Sequence, residues 1–358
     1  MAVTVAVDSV YYGTLTLTPV SFLRTNVLSG IAHFYGVNVF HYYLTQGIPI
    51  VLGPALPFAL HGVWKHVSSG PGQGHSSQAR NPSLSILLAF VVWTLSIYSC
   101  LAHKEWRFIH PLLPVLHIFA ADSLIRLKAE TTKNVPNSDS LLKRLEQLPV
   151  QRNHMMLLLG ISIPLNVYLT CLHGSAQVAA ARYIHALGQD QSRVKSVGVL
   201  MPCHSIPWQS HIHLSYLAQE VSGSRLWALG CEPPLGLNST QVKKYASQTD
   251  VFFETLGPIS YFEKYFPLAV DPRFPPSPAP YTRPGRPVPE KGWEHRWPSH
   301  LLMFSALESQ TSFGRTKTVG TKLEELGYQV IRRIRNGWEE DERRKGGVVV
   351  WEWNERIL

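Results

Sequence analysis

Long apolar runs separated by short polar stretches occupy residues 47–172. Three uncharged windows, 47–64, 82–102 and 154–172, are long enough to cross a hydrocarbon core of about 30 Å. A fourth run starts at residue 108, meets Asp122 and extends weakly to residue 127. The pattern predicts an α-helical multi-pass membrane domain over 47–172 with about four spans, at 47–64, 82–102, 108–127 and 154–172. For the span at 108–127, the alternatives are a segment that re-enters the membrane and one that is partly buried in protein.

Prolines are concentrated in and beside these runs. Inside a helix a proline removes a backbone hydrogen bond, but neighbouring helices and waters in a membrane bundle can satisfy the freed carbonyl groups. We therefore expect kinked or broken helices around Pro49, Pro54, Pro57, Pro111, Pro114 and Pro164.

The distribution of Lys and Arg predicts which loops face the cytoplasm, because short cytoplasmic loops are enriched in these residues. Residues 1–46 contain one basic residue, Arg24, whereas residues 122–153 contain six. The second stretch is expected to be cytoplasmic. With four spans, segment 1–46 is then luminal or interfacial, and the loop around residue 105 and the tail 173–358 are luminal. Asn238 opens the sequon Asn-Ser-Thr in that tail and is a predicted glycosylation site.

The tail has the shorter patterns of a small luminal α/β domain over residues 173–358. Strands are predicted within 196–203, 224–231, 300–307 and 347–353, and helices within 211–221 and at the start of 321–334. A proline-rich loop at 271–290 receives no predicted fold. Cys203 and Cys231 lie beside strands, where two buried thiols are the favoured interpretation and a disulfide is the alternative.

Composition agrees with a membrane protein, since 45% of the 358 residues are hydrophobic and only 16% are charged. The net charge of +9 is dispersed, without an aromatic-basic platform or zinc spacing, which argues against nucleic acid as a partner. No Walker, GxSxG or HExxH motif is present. His204, His211 and His213 lie near Cys203 but lack a second ligand pair, so neither a metal nor another cofactor is expected.

One polar cluster lies between two apolar runs, in LAHKEWRFIHP, residues 101–111. Lys104 and Arg107 beside a span are most simply anchors whose charged ends reach the membrane interface. However, Glu105 brings the opposite charge, and His103 and His110 flank the group, which is more polar chemistry than an anchor requires. Such a cluster is suited to an anionic lipid phosphate, to which Arg offers a fork of donors and Lys a point charge.

The run HKEWRFIHPLLP, residues 103–114, resembles the HKExRF-type signature of the endoplasmic-reticulum mannosyltransferases that use dolichyl-phosphate mannose. MPCHSIPWQSHIH, residues 201–213, is similar to the branch of that family that extends GPI anchors. The likeness continues through ETLGPISYFEKYFP and WPSHLLMFSALE to RRKGGVVVWEW, and so covers nearly the whole chain.

This resemblance implies a GT-C-like membrane fold, of which the chain supplies the carboxy-terminal half, in the membrane of the endoplasmic reticulum. It implies transfer of the third, α-1,2-linked mannose from dolichyl-phosphate mannose to the GPI precursor glycolipid. His103, Lys104 and Arg107 are expected to bind the donor phosphate, with Glu105 holding them in place. His204, Trp208 and His211 are expected to bind the acceptor.

The resemblance also implies a catalytic acid in a first luminal loop that is not recognisable in this chain. We therefore expect an amino-terminally truncated chain that is not active by itself. Glu105 and Asp8 are the remaining weak candidates for a catalytic base, and a structural turn is the favoured role for Asp8. Two alternative functions stay open: a related mannosyltransferase of N-glycan assembly, and a non-catalytic protein that binds lipid-linked glycans.

Overall fold

The computed structural model describes residues 2–28, 31–69, 81–132, 149–217, 223–237, 239–278, 293–312 and 314–355. The chain forms two compact units, Met1–Asn166 and Val167–Leu358. The boundary lies inside the last predicted span, and the predicted separate segment 1–46 belongs to the first unit.

The secondary structure described in the first unit is helical. It begins with the helices Ala2–Tyr12 and Thr18–Leu23, the π-helical turn Arg24–Leu28 and the 3-10 turn Ile31–Tyr35. The other elements are Tyr43–Gly47 (π), Ile48–Leu52 (α), Gly53–Ala55 (3-10), Leu56–Ser68 (α), Pro82–Cys100 (α), Trp106–Leu112 (3-10), Leu113–Thr132 (α) and Arg152–Val167 (α).

By length and composition, four helical runs of the described chain are able to cross a membrane. They are Tyr43–Ser68, Pro82–Cys100, Trp106–Ala129 and Arg152–Leu187. The expected irregularities are confirmed at several prolines: the first run is interrupted at Gly53, whose φ is 49°, and the third starts as a 3-10 turn that contains Pro111. Pro164 lies inside the helix of the fourth run, just before a π-helical turn.

The helices Leu56–Ser68 and Leu113–Thr132 cross at Gly62 with close contact between their backbones. A Cβ atom at Gly62 would lie 2.0 Å from the carbonyl oxygen of Phe119, so only glycine fits there. Next to this crossing, Nδ1 of His61 lies 2.8 Å from the hydroxyl of the buried Ser123. Small residues and interhelical hydrogen bonds of this kind are typical of helix packing in membranes, where hydrophobic burial between helices contributes little.

The second unit contains a five-stranded sheet with the order β2-β1-β3-β5-β4. The strands are β1 (Val197–Leu200), β2 (Leu226–Ala228), β3 (His300–Phe304), β4 (Tyr328–Ile334) and β5 (Val348–Trp353). β1 pairs in parallel with both β2 and β3, and β5 is antiparallel to both β3 and β4. This arrangement confirms the predicted α/β character of the tail.

Helices cover both faces of the sheet, because alternate strand residues point to opposite sides. Leu301 and Met303 of β3 face a core that includes the helices Pro258–Tyr265 and Val319–Glu325. Leu302 and Phe304 face a second core with the helices Ser175–Leu187 and Trp208–Ile212. The remaining helical elements are Tyr168–Leu172, Ser215–Leu217, Ser239–Lys244, Gln248–Asp250, Val251–Thr255, Ser305–Glu308 and Glu342–Arg344.

Cys203 and Cys231 form a disulfide, so the favoured interpretation of two free buried thiols is wrong. The residues follow β1 and β2, which are parallel neighbours, and their Cα atoms are 6.1 Å apart, within the usual range for a disulfide. The pairing of the two strands, which sequence does not reveal, brings the sulfur atoms together. Asn238 lies outside the described residues, as does the predicted loop 271–290 beyond residue 278.

Candidate functional site

The polar cluster lies on a short bent loop between two candidate spans. The helix Pro82–Cys100 ends before Leu101, whose backbone is extended, and the 3-10 turn Trp106–Leu112 begins after Glu105, which is extended as well. Ile109 and Leu112 are fully buried and anchor this turn. Residues 101–105 therefore have anchored helical elements on both sides but no regular structure of their own.

Three side chains of the cluster meet at one carboxylate. Nε2 of His103 lies 2.9 Å from Oε1 of Glu105, and Nη2 of Arg107 donates to the same oxygen at 2.8 Å. Nε of Arg107 pairs with Oε2, which completes a two-point contact. The Arg107 side chain remains 65% exposed, so its other donor positions are open to a ligand.

The ring of His103 lies between two oxygen atoms. Its Nδ1 lies 3.1 Å from the carbonyl oxygen of Gly36, and its Nε2 faces Glu105. Partial burial raises the pKa of the Glu105 carboxyl, but hydrogen bonds from His103 and Arg107 outweigh it, and the net pKa is lowered. The Glu105 carboxylate thus accepts hydrogen bonds from two neighbouring side chains, which favours its ionised form.

Lys104 has a different environment from its neighbours. It is only 3% exposed, and its ammonium group donates to the carbonyl oxygens of Asn38, at 2.9 Å, and Leu101. The side chains of His103 and Glu105 are more exposed, at 14% and 29%. Of the three expected phosphate ligands, the structure brings His103 and Arg107 together and places Lys104 behind them.

A pocket of about 270 Å³ adjoins the cluster. Its lining is mostly apolar and includes His103 and Phe108 from the signature, together with Asn26 and His33 from the preceding helical turns. The His103 and Phe108 rings pack edge to face with centroids 5.8 Å apart. His103 therefore has one ring nitrogen on the ion-paired cluster while its ring forms part of the pocket wall.

The expected acceptor residues lie in the second unit, after the carboxyl end of β1. His204 is exposed and has a φ of 56°, and Trp208 starts the short helix in which Nδ1 of His211 lies 3.1 Å from the hydroxyl of Ser210. The disulfide at Cys203 ties this loop to the end of β2. Within the described ranges, no group of three His, Cys, Asp or Glu side chains is arranged to hold a metal ion.

Asp8 lies in the helix Ala2–Tyr12, and its carboxylate accepts a hydrogen bond from the hydroxyl of Thr18. This contact ties the first helix to the start of the second.

Sequence analysis missed two residues that contact the cluster, Gly36 and Asn38, because they lie more than sixty positions away and carry no motif. The glycine, which has a φ of 105°, is the one local signal of an unusual backbone there.

Comparison with known proteins gives a consistent set of matches. The model of the Alg9-like mannosyltransferase family matches residues 1–213. GPI mannosyltransferase 3 of Emericella nidulans is 30% identical over an alignment of 377 positions, which covers 98% of this chain and 51% of the relative. The protein of the same name from Aspergillus fumigatus is 30% identical, covering 96% of this chain and 44% of the relative.

A mouse relative extends the matches beyond fungi. GPI alpha-1,2-mannosyltransferase 3 of Mus musculus is 32% identical over 263 residues, covering 73% of this chain and 40% of the relative. The chain thus spans about half the length, or less, of these curated relatives. No solved structure gives a significant match.

Proposed function

Because this chain belongs to the Alg9-like mannosyltransferase family, we propose that it acts in GPI-anchor synthesis by transferring the third, α-1,2-linked mannose from dolichyl-phosphate mannose to the GPI precursor. The observation that carries the proposal is the hydrogen-bonded group of His103, Glu105 and Arg107 beside an apolar pocket. The names of the fungal and mouse relatives favour the GPI precursor over a substrate of N-glycan assembly.

In the proposed reaction, an acceptor hydroxyl oxygen forms a bond to C1 of mannose while the bond between C1 and the phosphate oxygen breaks. The electron pair of the broken bond leaves with dolichyl phosphate, so negative charge grows on the phosphate oxygens, and the proton of the acceptor hydroxyl passes to that phosphate monoester or to water. Arg107 and His103 are suited to stabilise this charge as hydrogen-bond donors, since donors fixed in advance need little reorganisation. Charge-assisted hydrogen bonds of this kind contribute roughly 1.5–3 kcal/mol each.

Glu105 holds His103 and Arg107 in the proposed site instead of accepting the proton of the acceptor hydroxyl. Its carboxylate is bonded on both oxygens, and its lowered pKa makes it a weak base. Lys104, bonded to two backbone carbonyls, supports the loop from behind and adds positive potential without direct contact. The adjoining apolar pocket is suited to the isoprene units next to the phosphate.

We assign the protein to the endoplasmic reticulum membrane as a multi-pass, GT-C-like enzyme. Four helices of sufficient length and apolarity support several membrane crossings. The disulfide supports a luminal location for the second unit, because disulfides persist in oxidising compartments. His204, Trp208 and His211 are the proposed acceptor contacts, and Asn238 is the proposed glycosylation site on the same luminal unit.

Binding of radiolabelled dolichyl phosphate to the chain in lipid nanodiscs tests the proposed site. Arg107→Ala should weaken binding about tenfold or more, because each charge-assisted bond contributes 1.5 kcal/mol or above. Arg193→Ala, a basic residue of the second unit, is the matched control and should bind as the wild type does. Equal affinities for wild type and Arg107→Ala would contradict the phosphate site.

The reaction itself is tested in cells that lack the endogenous third-mannose transferase. If the chain transfers mannose by itself, against the expectation from its sequence, the GPI precursor with two mannoses should be converted to the three-mannose form, as thin-layer analysis of labelled lipids would show. Unconverted precursor together with intact dolichyl phosphate binding would contradict transfer by this chain alone and leave lipid binding as its activity. Correction of an N-glycan precursor instead would favour the N-glycan mannosyltransferase.

A further inference from the structure

A second segment of the chain, residues 36–38, contacts the polar cluster although it lies 66 or 67 positions away in the sequence. The backbone N–H of Asn38 donates to the carbonyl oxygen of Ala102 at 3.0 Å. The side-chain amide of Asn38 donates to the carbonyl oxygen of Lys104 at 2.8 Å, and the Lys104 ammonium donates back to the Asn38 carbonyl. Loop and segment are therefore paired by reciprocal bonds.

These bonds determine which way the loop residues face. They fix the backbone at Ala102 and Lys104, and Lys104 is turned toward Asn38. His103 lies between these two fixed positions, and its Nε2 meets Glu105, which Arg107 also contacts. The bonds of Asn38 therefore hold the backbone on both sides of His103.

Gly36 contributes the last contact of the segment. Its carbonyl oxygen accepts from Nδ1 of His103, and its φ of 105° is a conformation that other residues adopt only with strain. A Cβ atom would meet nothing within 4 Å, so the requirement for glycine is conformational and not steric. The segment thus orients the His103 ring as well as the loop that carries it.

We propose that Asn38 is a positioning residue of the donor-phosphate site, which fixes the loop backbone on both sides of His103 so that His103 and Arg107 face the phosphate together. This inference rests on the proposed function of the cluster. Asn38 does not contact the phosphate itself, and it acts through the Lys104 carbonyl. The bond from its side-chain amide to the Lys104 carbonyl requires an amide at position 38, whereas its backbone bonds to the loop could form with other residues there.

The test compares two lipids that differ only in the phosphate, dolichyl phosphate and dolichol, each bound to the full chain in nanodiscs. Asn38→Leu keeps the side-chain volume but removes the amide donor, while Asn38→Gln retains a donor. Asn38→Leu should raise the Kd for dolichyl phosphate about three- to tenfold, because one hydrogen bond is lost. The Kd for dolichol should stay unchanged. Asn38→Gln should recover part of the loss.

Thr45→Val is the matched control, because its hydroxyl bonds only within its own helical turn, to His41. Should Asn38→Leu fail to fold, Gly36→Ala tests the same segment through the His103 contact and should also weaken only dolichyl phosphate. Equal weakening for both lipids, or no change for either, would overturn the inference. Failure of the site itself is distinct: it appears as unchanged binding in Arg107→Ala.

Discussion

Removal of the Cys203–Cys231 disulfide should destabilise the second unit by several kcal/mol. The bridged residues are 28 positions apart, and the chain-entropy relation for a closed loop of that size gives about 3.6 kcal/mol at 25 °C. The loop contains β2, an edge strand that pairs with β1 at only three residue positions.

For a domain of this size, about 3.6 kcal/mol corresponds to a fall in Tm of about 7–14 °C. The variant is Cys203→Ser combined with Cys231→Ser, which avoids leaving a lone thiol, and differential scanning calorimetry on the full chain measures the fall. The control variant replaces the exposed free thiols Cys100 and Cys171 with serine and should keep the wild-type Tm.

Thiol counting tests the premise independently. In denatured but unreduced protein, a maleimide should label two of the four cysteines, and reduction should raise the number to four. Four labelled thiols without reduction would show that the bridge is absent. A double-serine variant with the Tm of the control would show that loop entropy does not govern the stability of this unit.

Two further predictions concern one buried residue in each unit. Gly62→Leu should destabilise the first unit by about 1–3 kcal/mol through overpacking at the helix crossing. Gly160→Leu is the control and should not destabilise it, because a Cβ atom there meets nothing within 4 Å. Thermal aggregation of the purified variants would measure the difference. Burial lowers the pKa of His295 from 6.5 to about 3, so between these pH values the unfolded state binds a proton that the folded state excludes. The free energy of unfolding should therefore fall by about 1.4 kcal/mol for each unit by which the pH drops from 6.5 to 3. His295→Phe, which keeps an aromatic ring against Trp227, should remove that pH dependence in urea unfolding, and an unchanged slope would contradict the assignment.

Local patterns determined the coarse architecture. Apolar windows of sufficient length located the four candidate spans, and short β-rich runs located the strands of the second unit, because both depend on residues adjacent in sequence. The charged signature was visible for the same reason. Three ionisable residues within four positions beside an apolar run are conspicuous without any knowledge of the fold.

Sequence left open which of those charges face a ligand, and tertiary contacts decided it. Lys104 and Arg107 look equivalent in the sequence, yet one is buried against Asn38 and the other is exposed on Glu105. The choice depends on hydrogen bonds to a segment 66 positions away, and no local periodicity encodes such a pairing.

The disulfide shows the same limit. Cys203 and Cys231 follow separate strands, and only the parallel pairing of β1 with β2 brings their Cα atoms to 6.1 Å. Residue type and spacing determine which elements form, because hydrophobic burial and backbone geometry act locally. Which distant groups then meet is decided by packing, since a hydrogen bond or a covalent bridge requires a distance that only the assembled fold provides.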